Sequence, residues 1–231
     1  MSWIEYWDDK PTIYVSQRHR EAHYRCIADG IVANLGDGNP VVLDYGCGEA
    51  LSADLVARKC RRLYLCDAAP SVRAELLKRF ASEPRIVVIA PDELASLPGG
   101  SVDLVVANSV VQYLPSDVLQ TCLQDWRRLL SPKSRLLLAD IIPPSVGPLT
   151  DAVALLSFAW REGFTLAAAA GLVRTLFSDY RKVRAELGLQ QYEAETIVSL
   201  LKAAGFSARR HHPNLGHNQA RMAFIAVHAA S

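Results

Sequence analysis

The 231-residue sequence predicts an α/β fold: a doubly wound, mostly parallel seven-stranded sheet with a C-terminal antiparallel strand, an N-terminal helix, and a helical insertion after the fifth strand. Three observations carry this. Apolar strand-like runs alternate with helix-periodic runs from Val41 to Ile142, an order that implies parallel strands joined by crossover helices. The first of these units, VVLDYGCGEALSADLVA (Val41–Ala57), reads as buried strand, acidic residue, glycine turn and helix. At the other end, Phe206–His212 and Arg221–His228 are strand-like and joined only by PNLGHNQA, too short a connection for anything but an antiparallel pair.

Taken in order, Trp3–Leu35 reads as helical for most of its length, with Tyr24, Ile27, Ala28, Ile31, Val32 and Leu35 on one stripe. Gly36–Pro40 stops it. Beyond the glycine turn a helix begins near Leu51, followed by strand Leu63–Cys66 ending at Asp67 and a helix from Ser71. Ile86–Ile89 is the third strand, with Asp92 and Glu93 just past it, and Val102–Ala107 the fourth, ending at Asn108. Leu119, Cys122, Leu123, Trp126 and Leu129 keep helical period between Pro115 and the Ser131–Pro132 stop. Leu136–Ile142 is the fifth strand. The stretch from Gly147 to Gln191 breaks the rhythm and is rich in aromatics (Phe158, Trp160, Phe164, Phe177, Tyr180), so it reads as an inserted helical lid over 147–191. Ile197, Leu200, Leu201 and Ala204 form the last helix, closed by Gly205. The expected organisation is one domain over 1–231, with residues 1–40 as a helical cap.

Composition narrows the function. Half the residues are hydrophobic, and 25 basic against 24 acidic side chains leave a net charge of +1. No field of one sign draws in nucleic acid or a membrane surface. Five scattered cysteines without a C-x-x-C pair suit buried thiols in a reducing compartment. MSWIEYWDDK lacks the basic start and apolar run of a signal peptide, and charges interrupt every apolar stretch. The expectation is a cytoplasmic protein, monomer or homodimer, acting on a small molecule.

The chemistry gathers at strand ends. Asp44, Asp67, Asp92 or Glu93, and Asn108 follow four consecutive strands whose carboxyl ends share one edge, so their side chains converge on one crevice. Gly46 and Gly48 permit a positive φ and clear the backbone of Cβ atoms there. Asp67 lies 21 residues beyond Gly46, the range at which an ionised, acceptor-only carboxylate meets a ribose diol. Singly, Asp44 or Asp67 serves equally well as a cap and Gly48 as a turn residue; the ordered set is what points to a nucleotide-like cofactor. A nicotinamide-dependent dehydrogenase uses a related turn, but the third glycine of G-x-G-x-x-G is replaced by Leu51.

In LDYGCG, LYLCD, PDELASLPGGSVDLVVAN, LQDWRRLLSPKSRLLLAD and LLKAAGF, the chain resembles the class I (Rossmann-like) S-adenosylmethionine-dependent methyltransferases of small-molecule type, over roughly Val41 to His228. The resemblance implies S-adenosylmethionine as cofactor and S-adenosylhomocysteine as product. It implies Asp44, Gly46 and Gly48 along the methionine half, Asp67 at the ribose hydroxyls, Asp92 (or Glu93) at the adenine amine, and Asn108 facing the methyl-transfer centre. In such enzymes an N-terminal helix often folds over the cofactor, which makes Arg18 or His19 a candidate for the methionine carboxylate. Trp7, Tyr14 and Tyr113 are candidate aromatic neighbours of the sulfonium.

Two histidine groups remain. His19 and His23 are four apart, but no third ligand stands near them in sequence, and no metal site is expected. His211, His212, His217 and Asn218 surround the final hairpin. If the sixth strand runs parallel to the first five, that loop lies at the active edge and His217 or His212 is a candidate base. The function expected is in-line methyl transfer to a small, partly apolar acceptor. Because Asn108 is followed by Ser-Val-Val, not Pro-Pro-Tyr, the loop associated with methylation of planar amines in proteins and DNA is missing. The other class kept open is a non-catalytic S-adenosylmethionine-binding sensor or scaffold.

Overall fold

The computed structural model describes residues 3–8, 14–176 and 189–229; the expected aromatics Phe177 and Tyr180 lie outside the described residues. The chain forms one seven-stranded sheet in the order β3-β2-β1-β4-β5-β7-β6. Strands β1 (Val41–Tyr45), β2 (Arg62–Cys66), β3 (Ile86–Ile89), β4 (Val102–Asn108) and β5 (Leu130–Ile141) are parallel. β7 (Met222–His228) is antiparallel to both β5 and β6 (Phe206–His211). β6 therefore runs parallel to the first five strands, which satisfies the condition set on the His212–Asn218 loop and puts it at their carboxyl edge.

Alternation within the strands sorts the core into two layers. Leu43, Tyr45, Val105 and Leu138 pack with α5 (Ser116–Leu129) and the last helix, Ala194–Ala203, through Leu119, Leu123, Trp126, Ile197 and Leu201. Val42, Leu65, Leu104 and Leu137 pack on the other face with α2 (Gln17–Ala33), α3 (Ala53–Ala57) and α4 (Pro70–Arg79) through Ala28, Ile31, Val56 and Leu76. Period-two strands between two helix layers explain why β1 is buried along its whole length. A third, smaller cluster (Phe158, Ala159, Phe164, Ala168) joins α6 (Pro148–Glu162) and α7 (Thr165–Leu176) to Val15, Ala22 and Cys26 at the start of α2.

Several boundaries differ from expectation for local reasons. The N-terminal helical stretch is two helices, α1 (Trp3–Asp8) and α2, the second started by Ser16, whose Oγ accepts from His19 N. α3 begins at Ala53, not Leu51, because Ala50 takes a left-handed φ of 41° and prolongs the turn. β5 begins at Leu130 without a turn after α5, pairing with Val102 before its register shifts.

α1 reaches across the carboxyl edge. Asp8 accepts from Ser71 N through Oδ1 (2.7 Å) and from Ser71 Oγ through its carbonyl (2.9 Å), at the start of α4. Trp3 and Trp7 meet Tyr113, beyond β4, at ring-centroid distances of 4.7 and 5.8 Å.

Candidate active site

The glycine turn is shaped by close packing. Gly46 has φ +68°, and a Cβ there would lie 2.3 Å from Val110 Cγ2, so both conformation and space require glycine. Gly48 has φ +57° and faces the Tyr24 hydroxyl, 2.9 Å from where its Cβ would be. Asp67 closes the turn from β2: its Oδ2 accepts from Gly48 N (2.9 Å) and its Oδ1 from Ala69 N (2.9 Å). Burial raises the Asp67 pKa, and those backbone bonds oppose the rise. Asp44, fully enclosed at the end of β1, is pushed up to about 7 by burial and then by the neighbouring Asp67 charge.

Residues that sequence reasoning missed hold the far side of this turn. Glu49 N donates to Tyr24 Oη (3.0 Å), and Arg20 grips the Glu49 carboxylate with Nε and Nη2. Arg79 Nη1 from α4 donates to Glu49 O. Burial raises the pKa of Tyr24 well above normal and pushes that of Tyr14, hydrogen-bonded to it, up to about 12, so both stay protonated. The signal available was spacing: Gln17, Arg20 and Tyr24 share one face of α2. Arg18 is elsewhere. Its Nε donates to Glu162 O at the carboxyl end of α6, whereas Arg20 reaches the glycine turn through Glu49.

Beyond β3, Asp92 and Glu93 part company. Glu93 Oε2 accepts from Ala90 N (2.6 Å) and caps its own 3₁₀ turn, Pro91–Ser96, while Asp92 is exposed on that turn. Asn108, at the end of β4, is 9% exposed; its Nδ2 lies 3.4 Å from Ser109 Oγ, and its Oδ1 is buried with no partner among the described residues.

The roof of the crevice is assembled from distant segments. Asp140, at the end of β5, accepts from Ser109 Oγ (2.5 Å) and Arg221 Nη1 (2.7 Å) through Oδ2, and from Asn214 Nδ2 (3.1 Å) through Oδ1. Arg221 continues to Asp151 of α6 (3.0 Å), which also accepts from Asn218 Nδ2 (2.8 Å). Ser109 and Asp140 both hold left-handed φ values, 57° and 59°, strain of the kind that surrounding structure must enforce. His217 stacks on Phe158 (4.8 Å) and His19 on Phe164 (5.0 Å), and the His19, His23 and His217 rings stand 6.3–6.4 Å apart. Burial lowers all three pKa values, those of His19 and His23 to about 4, so the imidazoles are neutral at pH 7. Among the described residues no set of His, Cys, Asp and Glu has the spacing to hold a metal ion. His212 is exposed on the outer side of the loop and stands apart from this cluster. Outside it, a groove of about 660 Å³ runs between α6 (Leu149, Val153, Ala154) and the loop (His217, Asn218).

A parallel sheet with acidic and amide side chains converging over a glycine turn defines a doubly wound nucleotide-cofactor fold; the antiparallel β7 between β5 and β6 sets it apart from the dehydrogenase order. Residues 43–138 match the family model described as a methyltransferase domain. Over this stretch, somewhat under half of its length, the chain is similar to methyltransferase domains. It is 29% identical over 124 residues to uncharacterized methyltransferases of Mycobacterium tuberculosis and Mycobacterium bovis, covering 54% of this chain and 60% of theirs. Among solved structures, a Methanococcus maripaludis protein provisionally assigned to the S-adenosylmethionine-dependent methyltransferases aligns with a TM-score of 0.64 at 15% identity, covering 99% of this chain and 93% of that one. Magnesium protoporphyrin IX methyltransferase from Synechocystis with bound SAH aligns with a TM-score of 0.58 at 21% identity, covering 98% and 93%. No helix among the described residues is long and apolar enough to cross a membrane.

Proposed function

We propose that the chain binds S-adenosylmethionine in this crevice and transfers its methyl group, by in-line displacement, to a small, partly apolar acceptor. The observation that carries the reading is the ordered set Asp44, Gly46, Gly48, Asp67, Asp92 and Asn108 along the carboxyl edge of β1–β4, the last with a buried oxygen that has no partner among the described residues. The residues present fit the cofactor. Asp67 uses each oxygen once on backbone and keeps lone pairs for a diol. With Glu93 committed to its own turn, Asp92 is the carboxylate available to an adenine amine. Asp44, raised to about 7, ionises fully when a cation arrives. α1, tied to Ser71 and Tyr113, lies as a cap over the edge.

When bound, the cofactor supplies an activated methyl on a sulfonium. The protein's work is placement, and alignment of two reactants accounts for about 7–11 kcal/mol of barrier in favourable cases. Asn108 orients the acceptor. The open groove between α6 and the hairpin loop, lined by Leu149, Val153 and Ala154, offers apolar surface to the acceptor's body. Neutral His217, and not exposed His212, is the candidate base, and its lowered pKa keeps it proton-free at pH 7. Wild-type protein incubated with S-adenosylmethionine and a panel of phenols, amines and carboxylates should release S-adenosylhomocysteine with at least one acceptor. Tight cofactor binding without turnover on any of them would favour the sensor reading.

A further inference from the structure

The end of β4 carries a hydrogen-bond chain with a fixed direction. Arg221 Nη1 donates to Asp140 Oδ2 at 2.7 Å, and Ser109 Oγ donates to the same oxygen at 2.5 Å. A carboxylate only accepts, so the Ser109 proton points to Asp140 and its lone pairs face away. What faces Ser109 across 3.4 Å is then the NH₂ side of Asn108, not its oxygen. The amide is turned so that Oδ1 looks the other way, fully buried and without a partner among the described residues, from a side chain only 9% exposed. A second buried acceptor without a partner, Gln112 Oε1, sits four residues on in the same post-strand segment. Buried acceptors are nearly always satisfied, and an exception in a strained loop calls for a donor that arrives with a ligand.

We propose that the group presented to the methyl-transfer centre is a hydrogen-bond donor (an amine, amide or hydroxyl, not a carboxylate) read by Asn108 Oδ1. Ser109 and Asp140 are positioning residues that set the direction of the Asn108 amide. This rests on the reading above that Asn108 faces the methyl-transfer centre. A carboxylate there would meet an oxygen it cannot bond, whereas an N–H or O–H completes the chain Arg221–Asp140–Ser109–Asn108.

Sinefungin tests this without knowledge of the acceptor, because it carries an amine where S-adenosylmethionine carries its S-methyl. Titrations of sinefungin and S-adenosylhomocysteine into the full chain should show sinefungin bound about tenfold or more tightly. Asn108→Ala should abolish that preference, lowering sinefungin affinity well beyond any loss for S-adenosylhomocysteine, and Asn108→Asp should keep it. Ser109→Ala, with an unchanged melting temperature, should narrow the ratio several-fold by freeing the amide to turn; a purely structural role for Ser109 would shift both ligands alike. Equal affinities in the wild type, or a preference that survives Asn108→Ala, would overturn the proposal. If neither ligand binds, the cofactor reading itself falls, and this one with it.

Discussion

The floor and the roof of the crevice are built on opposite plans. The floor, Asp44–Glu49 with Asp67, comes from two consecutive strand–turn units and is acidic. The roof draws on His19, His23, Asp140, Asp151 and His217, spread over most of the chain, and its imidazoles are neutral at pH 7. One cause produces both protonation patterns, since burial disfavours the charged form of acid and base alike. It lifts Asp44 to about 7 and depresses His19 and His23 to about 4. The difference teaches where ligand charge can act. Around neutral pH the floor is poised to ionise beneath a cation, whereas the roof pairs its carboxylates with Arg221 and keeps its imidazoles uncharged, offering aromatic surface and lone pairs.

The largest expected effect breaks the floor outright. Gly46→Ala puts a methyl 2.3 Å from Val110 and forces φ +68° on an L-residue. It should abolish cofactor binding in a titration and cost about 1–3 kcal/mol of stability by denaturant melt. Next, Asp44→Asn should weaken S-adenosylmethionine by about tenfold or more at pH 8. It should also flatten a pH dependence in which wild-type affinity for the cation rises as pH climbs through about 7, where Asp44 ionises.

A third test compares floor and roof in one variable. Folded Asp44 holds its proton up to about pH 7 where the unfolded group releases it near 3.8, so its contribution to stability falls as pH rises across that interval. His19 and His23 bind protons more weakly folded than unfolded, about 4 against 6.5, so theirs grows with pH between those values. The two slopes oppose each other in the wild type. Asp44→Asn should therefore steepen the rise of melting temperature from about pH 4 to 6.5, and His23→Phe should make it shallower. The smallest effect sharpens the link between the regions: Tyr24→Phe removes the acceptor of Glu49 N and should cost about 0.5–1.5 kcal/mol of cofactor affinity by calorimetry.

This contrast also explains what was legible in the sequence. The alternation of β1–β5, the glycine turn and the strand-end acids are short-range patterns, and apart from the early start of β5 at Leu130 the observed strands fall within a few residues of those expected. The hairpin itself was legible, but the parallel run of β6 was not, because it depends on β7 inserting beside β5 in the antiparallel sense. That Glu93, and not Asp92, caps the turn after β3 was not legible, because either acid could make the bond to Ala90 N. That Arg20 and not Arg18 reaches Glu49 was equally hidden: arginines two apart on a helix face different neighbours, and which neighbour lies where is set by tertiary packing. The roof network was invisible for the same reason, since Ser109, Asp140, Asp151, Asn214 and Arg221 meet only after the sheet and the insertion close.

The central claim is that the crevice over Gly46 and Gly48 binds S-adenosylmethionine through the β2 carboxylate. A calorimetric titration of S-adenosylmethionine into the wild-type chain and its Asp67→Ala variant tests it most directly. The account predicts one saturable site in the wild type and affinity reduced by about a hundredfold in the variant, whose loss removes the ribose acceptor and the Gly48 contact together. No saturable binding by the wild type, or equal affinity for both proteins, would contradict it.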